Sequence, residues 1–332
     1  MFWYRMMTRL IVHGSKKLNS NCPPSPHPLD FDWRFRPETV DQICEMLSSA
    51  VPTLTVGAPS IARELERVGQ DVLLVDRQPF QNVRNQIAAE IGGALPSAGS
   101  FRQAVIDPPW YPGELKNWVT WAGGSVRKGG AIFVSIWPDD VRPQGATEAL
   151  DFVRWVERWA DVEVLPTVPL YEEPPFERHA LEFSNGSAFS MSPRRGRILK
   201  LTVKSVPEQT FHEKKTMNEE WVRFVLNDYQ LAIKLVREGN VPASLSPHPN
   251  SIGWHWPYVS RRAPDRHLIG LWSSDNEVAV LQRPTELLGV LRAAFSQKSI
   301  KDFESALGEY NSLREWAIPR PPYKRIFEWR HH

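Results

Sequence analysis

The chain has 332 residues, of which 42% are hydrophobic and 23% charged, a balance that excludes an intrinsically disordered chain and predicts about two folded units. The formal net charge of +2 neither requires nor excludes a nucleic-acid partner, because such binding depends on a local basic patch. Two cysteines, Cys22 and Cys44, without CxxC spacing, exclude a disulfide framework and a zinc cluster and indicate a reducing compartment.

The first 29 residues are predicted to be a flexible leader. The opening apolar run is short and is interrupted by Arg5 and Arg9, so it lacks the apolar core of a secretory signal. Residues 15–28 are rich in Ser, Asn and Pro. No run in the chain approaches the roughly 18 apolar residues that a membrane span needs. We therefore predict a cytoplasmic protein without a membrane segment.

Residues 30–205 alternate strand and helix patterns and are predicted to form one α/β domain. Predicted strands cover residues 53–56, 72–75, 103–106, 131–136, 162–168 and 198–203. Predicted helices cover residues 40–47, 61–68, 115–126 and 147–159, with a loop and helix over 77–91. This alternation predicts a doubly wound, mainly parallel, Rossmann-like sheet. The last two strands have no clear helix between them, which predicts an antiparallel strand at the end of the sheet.

Residues 206–332 have a different pattern and are predicted to form a smaller C-terminal α+β unit, an accessory or target-recognition region. One long helical pattern covers residues 218–238. A hairpin is predicted from residues 268–272 and 278–281, and a helix over 286–295. The sequence does not indicate an oligomeric state.

Open α/β sheets bind ligands at the carboxyl ends of their strands, and two predicted strand ends fit an adenosine cofactor. Val56 ends the first strand and leads into the turn Gly57-Ala58-Pro59-Ser60, where Ser60 is placed to cap the next helix. Asp76 ends the next strand, where a carboxylate accepts hydrogen bonds from both ribose hydroxyls. The alternative interpretations are an ordinary βα turn and a solvated aspartate.

The third strand end, Asp107-Pro108-Pro109-Trp110, is the strongest candidate for a reactive centre. Consecutive prolines cannot continue a central strand, so they predict a stiff loop with exposed carbonyls. Asp107 offers an acceptor for an amine N–H, and Trp110 offers a flat face for stacking. These groups suit methyl transfer to a planar amine, in which positioning and a preorganised field supply most of the catalysis. The alternative is a proline-rich loop with a core tryptophan.

These residues resemble the motif of amino-group methyltransferases that modify adenine N6, and the tryptophan form is similar to that of the RNA adenine methyltransferases. Residues 31–140 also resemble the N6-adenine methyltransferase family that includes eukaryotic protein-lysine methyltransferases, which has a similarly glycine-poor turn, here Ala58-Pro59-Ser60. The resemblance covers residues 31–205 and implies a Rossmann-type enzyme that uses S-adenosylmethionine. Residues 206–332 match no family that we recognise.

From the motif and the resemblance we expect two sets of site residues and no metal. The catalytic set is Asp107, Pro108, Pro109 and Trp110. The cofactor-binding set is Val56, Gly57, Ala58, Pro59, Ser60, Asp76 and Asp107. The expected acceptor is an exocyclic amine, adenine N6 in DNA or RNA. A protein lysine, or a degenerate fold that only binds nucleic acid or protein, remain the alternatives.

Histidines and basic loops in the second half are weaker signals. His248, His255 and His267 lie within 20 residues in sequence, but their spacing fits no standard metal pattern and surface or packing roles are favoured. Residues 194–197, 260–267 and 319–325 are locally basic, and aromatic residues accompany two of them. Such loops contact phosphates in nucleic-acid-binding proteins, so we expect a nucleic-acid partner, with a protein substrate as the alternative.

Overall fold

A computed structural model describes most of the chain, and all structural statements below concern the described residues. These are residues 24–30, 32–77, 80, 83–89, 91, 99–185, 194–208, 219–235, 244–260, 263–296, 299–307, 310–323 and 326–331. No helix among them is both long enough and apolar enough to cross a membrane.

Seven strands of the described part of the chain form the first sheet. They are β1 (Thr53–Val56), β2 (Val72–Asp76), β3 (Gln86–Ala88), β4 (Phe101–Ile106), β5 (Val126–Ile136), β6 (Ala160–Val164) and β7 (Arg197–Val203). Their spatial order is β3-β2-β1-β4-β5-β7-β6. The strands β3, β2, β1, β4 and β5 each pair in parallel with their neighbours in this order, whereas β7 is antiparallel to both β5 and β6. The predicted doubly wound, mainly parallel, Rossmann-like fold is thereby confirmed.

Helices cover both faces of this sheet, which is why all four residues of the central strand β1 are buried. The helices are α1 (Pro37–Glu45), α2 (Pro59–Arg67), α3 (Pro112–Ser125), α4 (Gly145–Val156) and α5 (Pro175–Asn185). Apolar residues of α1 and α2 pack in one cluster, and those of α3 and α4 pack in another. Proline starts α1, α2 and α3, a position where its missing N–H costs nothing.

Three details of the first sheet differ from the prediction. Residues 86–88 form the short outer strand β3 where a loop and helix were predicted, and three residues, two of them exposed, carry too little periodicity to show it. The predicted antiparallel strand exists, but β7 lies second from the edge. The helix α5 was missed because its proline-rich start reads as a loop, although Pro175 is compatible with a first helical turn.

A second sheet is antiparallel and has six strands among the residues that the structure describes. They are β8 (Glu220–Leu226), β9 (Tyr229–Leu235), β10 (Ser244–Pro247), β11 (Leu271–Ser273), β12 (Val278–Gln282) and β13 (Ile326–His331), in the order β10-β12-β11-β9-β8-β13. The helices α6 (Pro284–Ser296) and α7 (Ile300–Leu307) pack against it, and short 3-10 helices cover Arg266–Leu268 and Asn311–Glu315. The predicted hairpin is β11–β12 and the predicted helix is α6, so both are confirmed.

The prediction of one long helix over residues 218–238 is wrong. The described part of this segment, residues 219–235, is the hairpin β8–β9, in which Val222 pairs with Ile233 and Leu226 with Tyr229. Nearly every residue of both strands is buried, and a run that is apolar on both faces satisfies the helical and the strand period equally. The turn signal was Asn227, whose positive φ of 57° suits a tight hairpin turn.

The predicted flexible leader is wrong for its last residues, because residues 24–30 pack against the second sheet. His27 and Leu29 are buried, and the Ser25 N–H donates to the Asp228 carbonyl at 2.6 Å. Asp30 accepts two hydrogen bonds, at 2.5 and 2.6 Å, from the buried guanidinium of Arg223. A charge pair cannot be seen in sequence when its members are 193 residues apart. Residues 1–23 lie outside the described residues.

Candidate active site

The three predicted strand ends lie side by side at one edge of the first sheet. Val56 pairs with Val75 of β2 on one side and with Ile106 of β4 on the other. Gly57 therefore lies between Asp76 and Asp107, whose backbones are about 10 Å apart at two strand spacings. This alignment follows from the parallel register of the three strands, so the three strand ends share one edge of the sheet.

Asp107 follows β4, and its carboxyl group is held by a residue that sequence reasoning missed. The Tyr171 hydroxyl donates to Asp107 Oδ1 at 2.7 Å, and the Asp107 N–H donates to the Val56 carbonyl at 3.1 Å. Burial raises the pKa of Asp107 well above its usual value, the Tyr171 hydrogen bond opposes that rise, and the nearby Asp32 charge adds to it. The result is a carboxyl group more basic than an ordinary aspartate.

The double-proline corner, residues 107–110, turns the chain directly from β4 into α3. Pro108 is buried, whereas Pro109 and Trp110 are half-buried. The Tyr111 N–H donates to the Pro109 carbonyl at 2.7 Å and closes the turn. Arg142, which also pairs with Glu148 at 2.6 Å, donates from Nη1 to the Trp110 carbonyl at 3.0 Å. Hydrogen bonds thus connect the first residue of the corner to the sheet and its last residue to the loop before α4.

Aromatic and charged groups surround the Trp110 indole. The Tyr171 ring meets it edge-on, with centroids 5.5 Å apart and an interplanar angle of 87°. The Arg194 guanidinium lies 5.5 Å from the centre of the Trp110 ring and 4.4 Å from that of Trp33. Glu177 holds this arrangement together, since it pairs with Arg194 at 2.6 Å and accepts from Trp33 Nε1 at 2.6 Å. A planar cation therefore already lies beside the motif tryptophan.

The glycine of the predicted cofactor turn is required by packing. Gly57 has a φ of +62°, and a Cβ added to it would lie 2.5 and 2.7 Å from two ring atoms of Trp118 and 3.2 Å from the Asp107 carbonyl oxygen. The Trp118 indole on α3 thus fills the space beside this glycine. The positive φ adds a backbone reason for glycine at this position.

The other turn residues present mainly backbone to the edge of the sheet. The side chains of Val56, Ala58 and Pro59 are buried, and Ser60 is half-buried. Ala58 is the residue that caps α2, without any side-chain hydrogen bond, so the prediction that Ser60 caps this helix is wrong. An uncapped helix start leaves backbone N–H donors for another acceptor. Asp76 is half-buried at the end of β2, and its carbonyl accepts from the Ala89 N–H at 2.9 Å.

We expect Gly57→Ala to destabilise the protein by about 2–3 kcal/mol, because the new Cβ meets Trp118 and the residue is held at a positive φ. Urea denaturation measures the change. Gly69→Ala is the matched control, since Gly69 has a φ of +79° but no atom within 4 Å of an added Cβ. Its cost should be about 1 kcal/mol. Equal costs for the two substitutions would refute the role of Trp118.

The weaker candidates of the sequence do not converge. His248 is buried with Nε2 at 2.9 Å from the Asp265 carbonyl oxygen, and His255 stacks on Phe183 at 3.7 Å. Among the described residues, no group of three His, Cys, Asp or Glu side chains is placed to hold a metal ion. Arg197 pairs with Asp139, and Arg194 pairs with Glu177 as above. Parts of the other two basic loops lie outside the described residues, namely residues 261–262 and 324–325.

The residues that sequence reasoning missed stand in segments of distinctive composition. Tyr171 directly precedes the acidic and proline-rich run Glu172-Glu173-Pro174-Pro175-Phe176, which leads into α5. Arg194 begins one of the basic segments. Trp33 stands in an aromatic-rich stretch before α1. Their composition was visible, but their convergence on the double-proline corner was not.

Comparison with known proteins gives similarity to solved structures alone, since no protein-family model and no curated protein matches the chain. The chain is similar to the branched-chain polyamine synthase of Thermus thermophilus, at 15% identity and a TM-score of 0.46 over 61% of this chain and 65% of that one. It therefore spans less than two thirds of the length of that synthase.

Two nucleic-acid methyltransferases are also similar in structure. The 16S rRNA N2 G1207 methyltransferase of T. thermophilus aligns at 12% identity and a TM-score of 0.36, over 67% of this chain and 54% of that one. The tRNA (m1A58) methyltransferase TrmI of Aquifex aeolicus aligns at 12% identity and a TM-score of 0.35, over 51% of this chain and 70% of that one. The fold class rests on the strand order and directions described above, and not on these alignments.

Proposed function

We propose that the chain is an S-adenosylmethionine-dependent methyltransferase that acts on an exocyclic amine. The observation that carries this proposal is the double-proline corner at the carboxyl end of β4. There a half-buried carboxylate and an indole belong to one short turn, which follows β4 beside the end of the neighbouring strand β1. Residues 30–205 would form the methyltransferase domain, and residues 206–332 an accessory or target-recognition region.

In this mechanism the corner binds and orients the acceptor amine. Asp107 accepts a hydrogen bond from one amine N–H, and Trp110 packs against the group that carries the amine. The cofactor, when bound, supplies an electrophilic methyl group, so that an N–C bond forms as the S–C bond breaks. The nitrogen then gives up a proton, for which the Asp107 carboxylate is an acceptor made more basic by burial. The prolines keep these groups in place without reorganisation.

The residues present fit an adenosyl cofactor at two positions. Asp76 offers a carboxylate at the end of β2 for the ribose hydroxyls, and the uncapped start of α2 offers N–H donors at Ser60. The fit is poorer at Gly57, because Trp118 fills the space beside that glycine. We therefore assign cofactor contact at the turn to backbone atoms of residues 57–60 and to Asp76.

Asp76→Ala is expected to weaken S-adenosylmethionine binding about 10- to 100-fold, since it removes hydrogen bonds from a charged acceptor. Isothermal titration calorimetry of the full chain measures this loss. Asp71→Ala is the control, because Asp71 is exposed just before the same strand. Equal affinity of the Asp76→Ala and Asp71→Ala proteins would contradict the assigned ribose contact.

We favour adenine N6 in DNA or RNA as the acceptor, with a protein lysine as the alternative. A flat base suits the half-buried Trp110 indole, beside which the planar guanidinium of Arg194 already lies. A base in a duplex would have to be flipped out to reach the corner. Incubation with a labelled methyl donor, followed by separation of nucleic acid from protein, distinguishes the two. Label in protein alone would reject the nucleic-acid acceptor.

A binding module without catalysis is the second candidate function, and the position of Trp118 beside Gly57 favours it. The same titration separates the two candidates. Heat of binding with S-adenosylmethionine supports the enzyme, whereas no heat at millimolar ligand supports a module that binds nucleic acid or a partner protein.

A further inference from the structure

We propose that Tyr171 is a positioning residue for the reaction: it holds Oδ1 of Asp107 and leaves Oδ2 as the acceptor for the amine N–H of the substrate. This inference rests on the proposed function. It concerns a residue outside the double-proline corner, 64 positions along the chain from Asp107.

The contacts of Tyr171 reach both ends of the corner. Its hydroxyl donates to Asp107 Oδ1 at 2.7 Å, and its ring edge packs on Trp110 at 5.5 Å. The ring also packs on Phe35, with the two ring centroids 4.8 Å apart, and only 2% of the residue is exposed. The backbone is held too, because the Tyr171 N–H donates to the Arg194 carbonyl at 3.0 Å. Because these contacts hold both the ring and the backbone of Tyr171, the position of its hydroxyl group is fixed.

The hydrogen-bond chain through Tyr171 has a defined direction. A phenol has one proton, and here it goes to the Asp107 carboxylate. The Ser135 Oγ lies 2.6 Å from the same hydroxyl, so Ser135 must be the donor of that contact. Ser135 stands near the end of β5, the strand next to β4. The chain Ser135 to Tyr171 to Asp107 therefore links two neighbouring strand ends and delivers a donor to one carboxylate oxygen.

The second oxygen of Asp107 is left for a ligand. Within the described part of the chain, no hydrogen bond reaches Oδ2, and this atom is not among the fully buried polar atoms without a partner. A carboxylate oxygen accepts more than one hydrogen bond, so Oδ2 has capacity for an amine N–H. With Oδ1 fixed, the carboxylate plane is fixed, and the direction from which an amine approaches is fixed with it.

The pKa of Asp107 reports on the hydrogen bond from Tyr171, together with burial and the charges nearby. Burial raises the pKa of Asp107, the Tyr171 hydrogen bond lowers it, and Asp32 from the segment before α1 raises it. The charge of Arg194, which precedes β7, acts on Tyr171 and opposes the rise of its pKa that burial causes. Because the hydrogen bond stabilises the charged carboxylate, its removal must raise the pKa of Asp107 further. A purely structural role for Tyr171 does not require that change.

The test is Tyr171→Phe in the full chain, with 13C NMR of labelled aspartate carboxyls followed through a pH titration. Asp107→Asn identifies the resonance. We expect the pKa of Asp107 to rise by about one unit or more, since a hydrogen bond to a charged group is lost. Ser135→Ala should shift the same resonance in the same direction by less. An unchanged pKa of Asp107 in Tyr171→Phe would overturn the proposal.

Activity supplies the second readout. In Tyr171→Phe we expect kcat/KM for methyl transfer to fall about 10- to 100-fold, mainly in kcat, with the acid limb of the pH profile moved to higher pH. Tyr229→Phe is the matched control, because Tyr229 is buried in the core of the second sheet and lies in none of the basic loops. A wild-type chain without methyl transfer would defeat the proposed function, and the NMR titration would still decide whether Tyr171 holds Asp107.

Discussion

Asp107→Asn should lower methyl transfer about 10²- to 10³-fold while the protein stays folded. Asparagine has the same shape, and the Tyr171 hydroxyl will orient its amide so that the oxygen takes the place of Oδ1. The amide NH2 then stands where Oδ2 would accept the amine N–H, and two donors face each other. Loss of one preorganised electrostatic contact typically costs a factor of this size. Initial rates with labelled S-adenosylmethionine measure it.

Stability provides the internal check on this variant. Because burial raises the pKa of Asp107, folding favours its protonated form, and its contribution to stability falls as the pH rises from the ordinary aspartate range through the folded-state pKa. Asp107→Asn removes this penalty, so it should be at least as stable as the wild type at neutral pH. The difference in stability between Asp107→Asn and the wild type should become smaller at acidic pH. Thermal denaturation across pH checks both expectations.

The matched control for activity is Asp139→Asn. Asp139 is exposed beyond the end of β5 and pairs with Arg197 at the surface, where an ion pair contributes little. The Asp139→Asn variant should keep wild-type turnover. If Asp107→Asn also kept full turnover, the corner would not be the reactive centre, and the enzyme assignment would lose its main support.

The second large effect is expected in stability, from Arg223→Met. Arg223 is fully buried in β8, and Asp30 is its buried partner in the segment before α1. Methionine would remove the buried cation that donates two hydrogen bonds to the Asp30 carboxylate, and breaking a buried pair typically destabilises a protein by about 3–5 kcal/mol. Urea denaturation followed by tryptophan fluorescence measures the change, with Trp221 and Trp272 packed in the affected region.

The pH dependence of this pair has the opposite sign to that of Asp107. Burial alone raises the pKa of Asp30, but the Arg223 charge and its hydrogen bonds hold that pKa below the ordinary value. The pair therefore stabilises the protein above the ordinary aspartate pKa and loses that effect as the pH falls through the lower folded-state pKa. The difference in stability between wild type and Arg223→Met should narrow over the same range.

Two further variants make the test of the buried pair specific. Arg292→Met removes an exposed pair with Glu328 and should cost less than about 1 kcal/mol. The double variant Asp30→Leu with Arg223→Met should be more stable than Arg223→Met alone, because no unpaired charge remains. A cost below 1 kcal/mol for Arg223→Met would mean that residues 24–30 do not hold the second sheet as described.

Strong local patterns allowed much of the first sheet to be predicted. The strands β1, β2 and β4, the helix α2 and the polar residues at the strand ends each depend on neighbours within a few positions. The corner of residues 107–110 was visible for the same reason, since consecutive prolines dictate their own backbone. Parallel register then follows from the alternation of strand and helix.

Tertiary contacts decided the rest, because they join residues that no local pattern relates. The run over 220–235 fits helix and strand alike, and the pairing partners on both sides select the hairpin β8–β9. Packing against Trp118 requires glycine at position 57. The hydrogen bond from Tyr171, which is 64 residues away in the chain, fixes Oδ1 of Asp107. The sequence determines which residues stand at a strand end. Which side chains contact those residues depends on how segments distant in the chain pack around them.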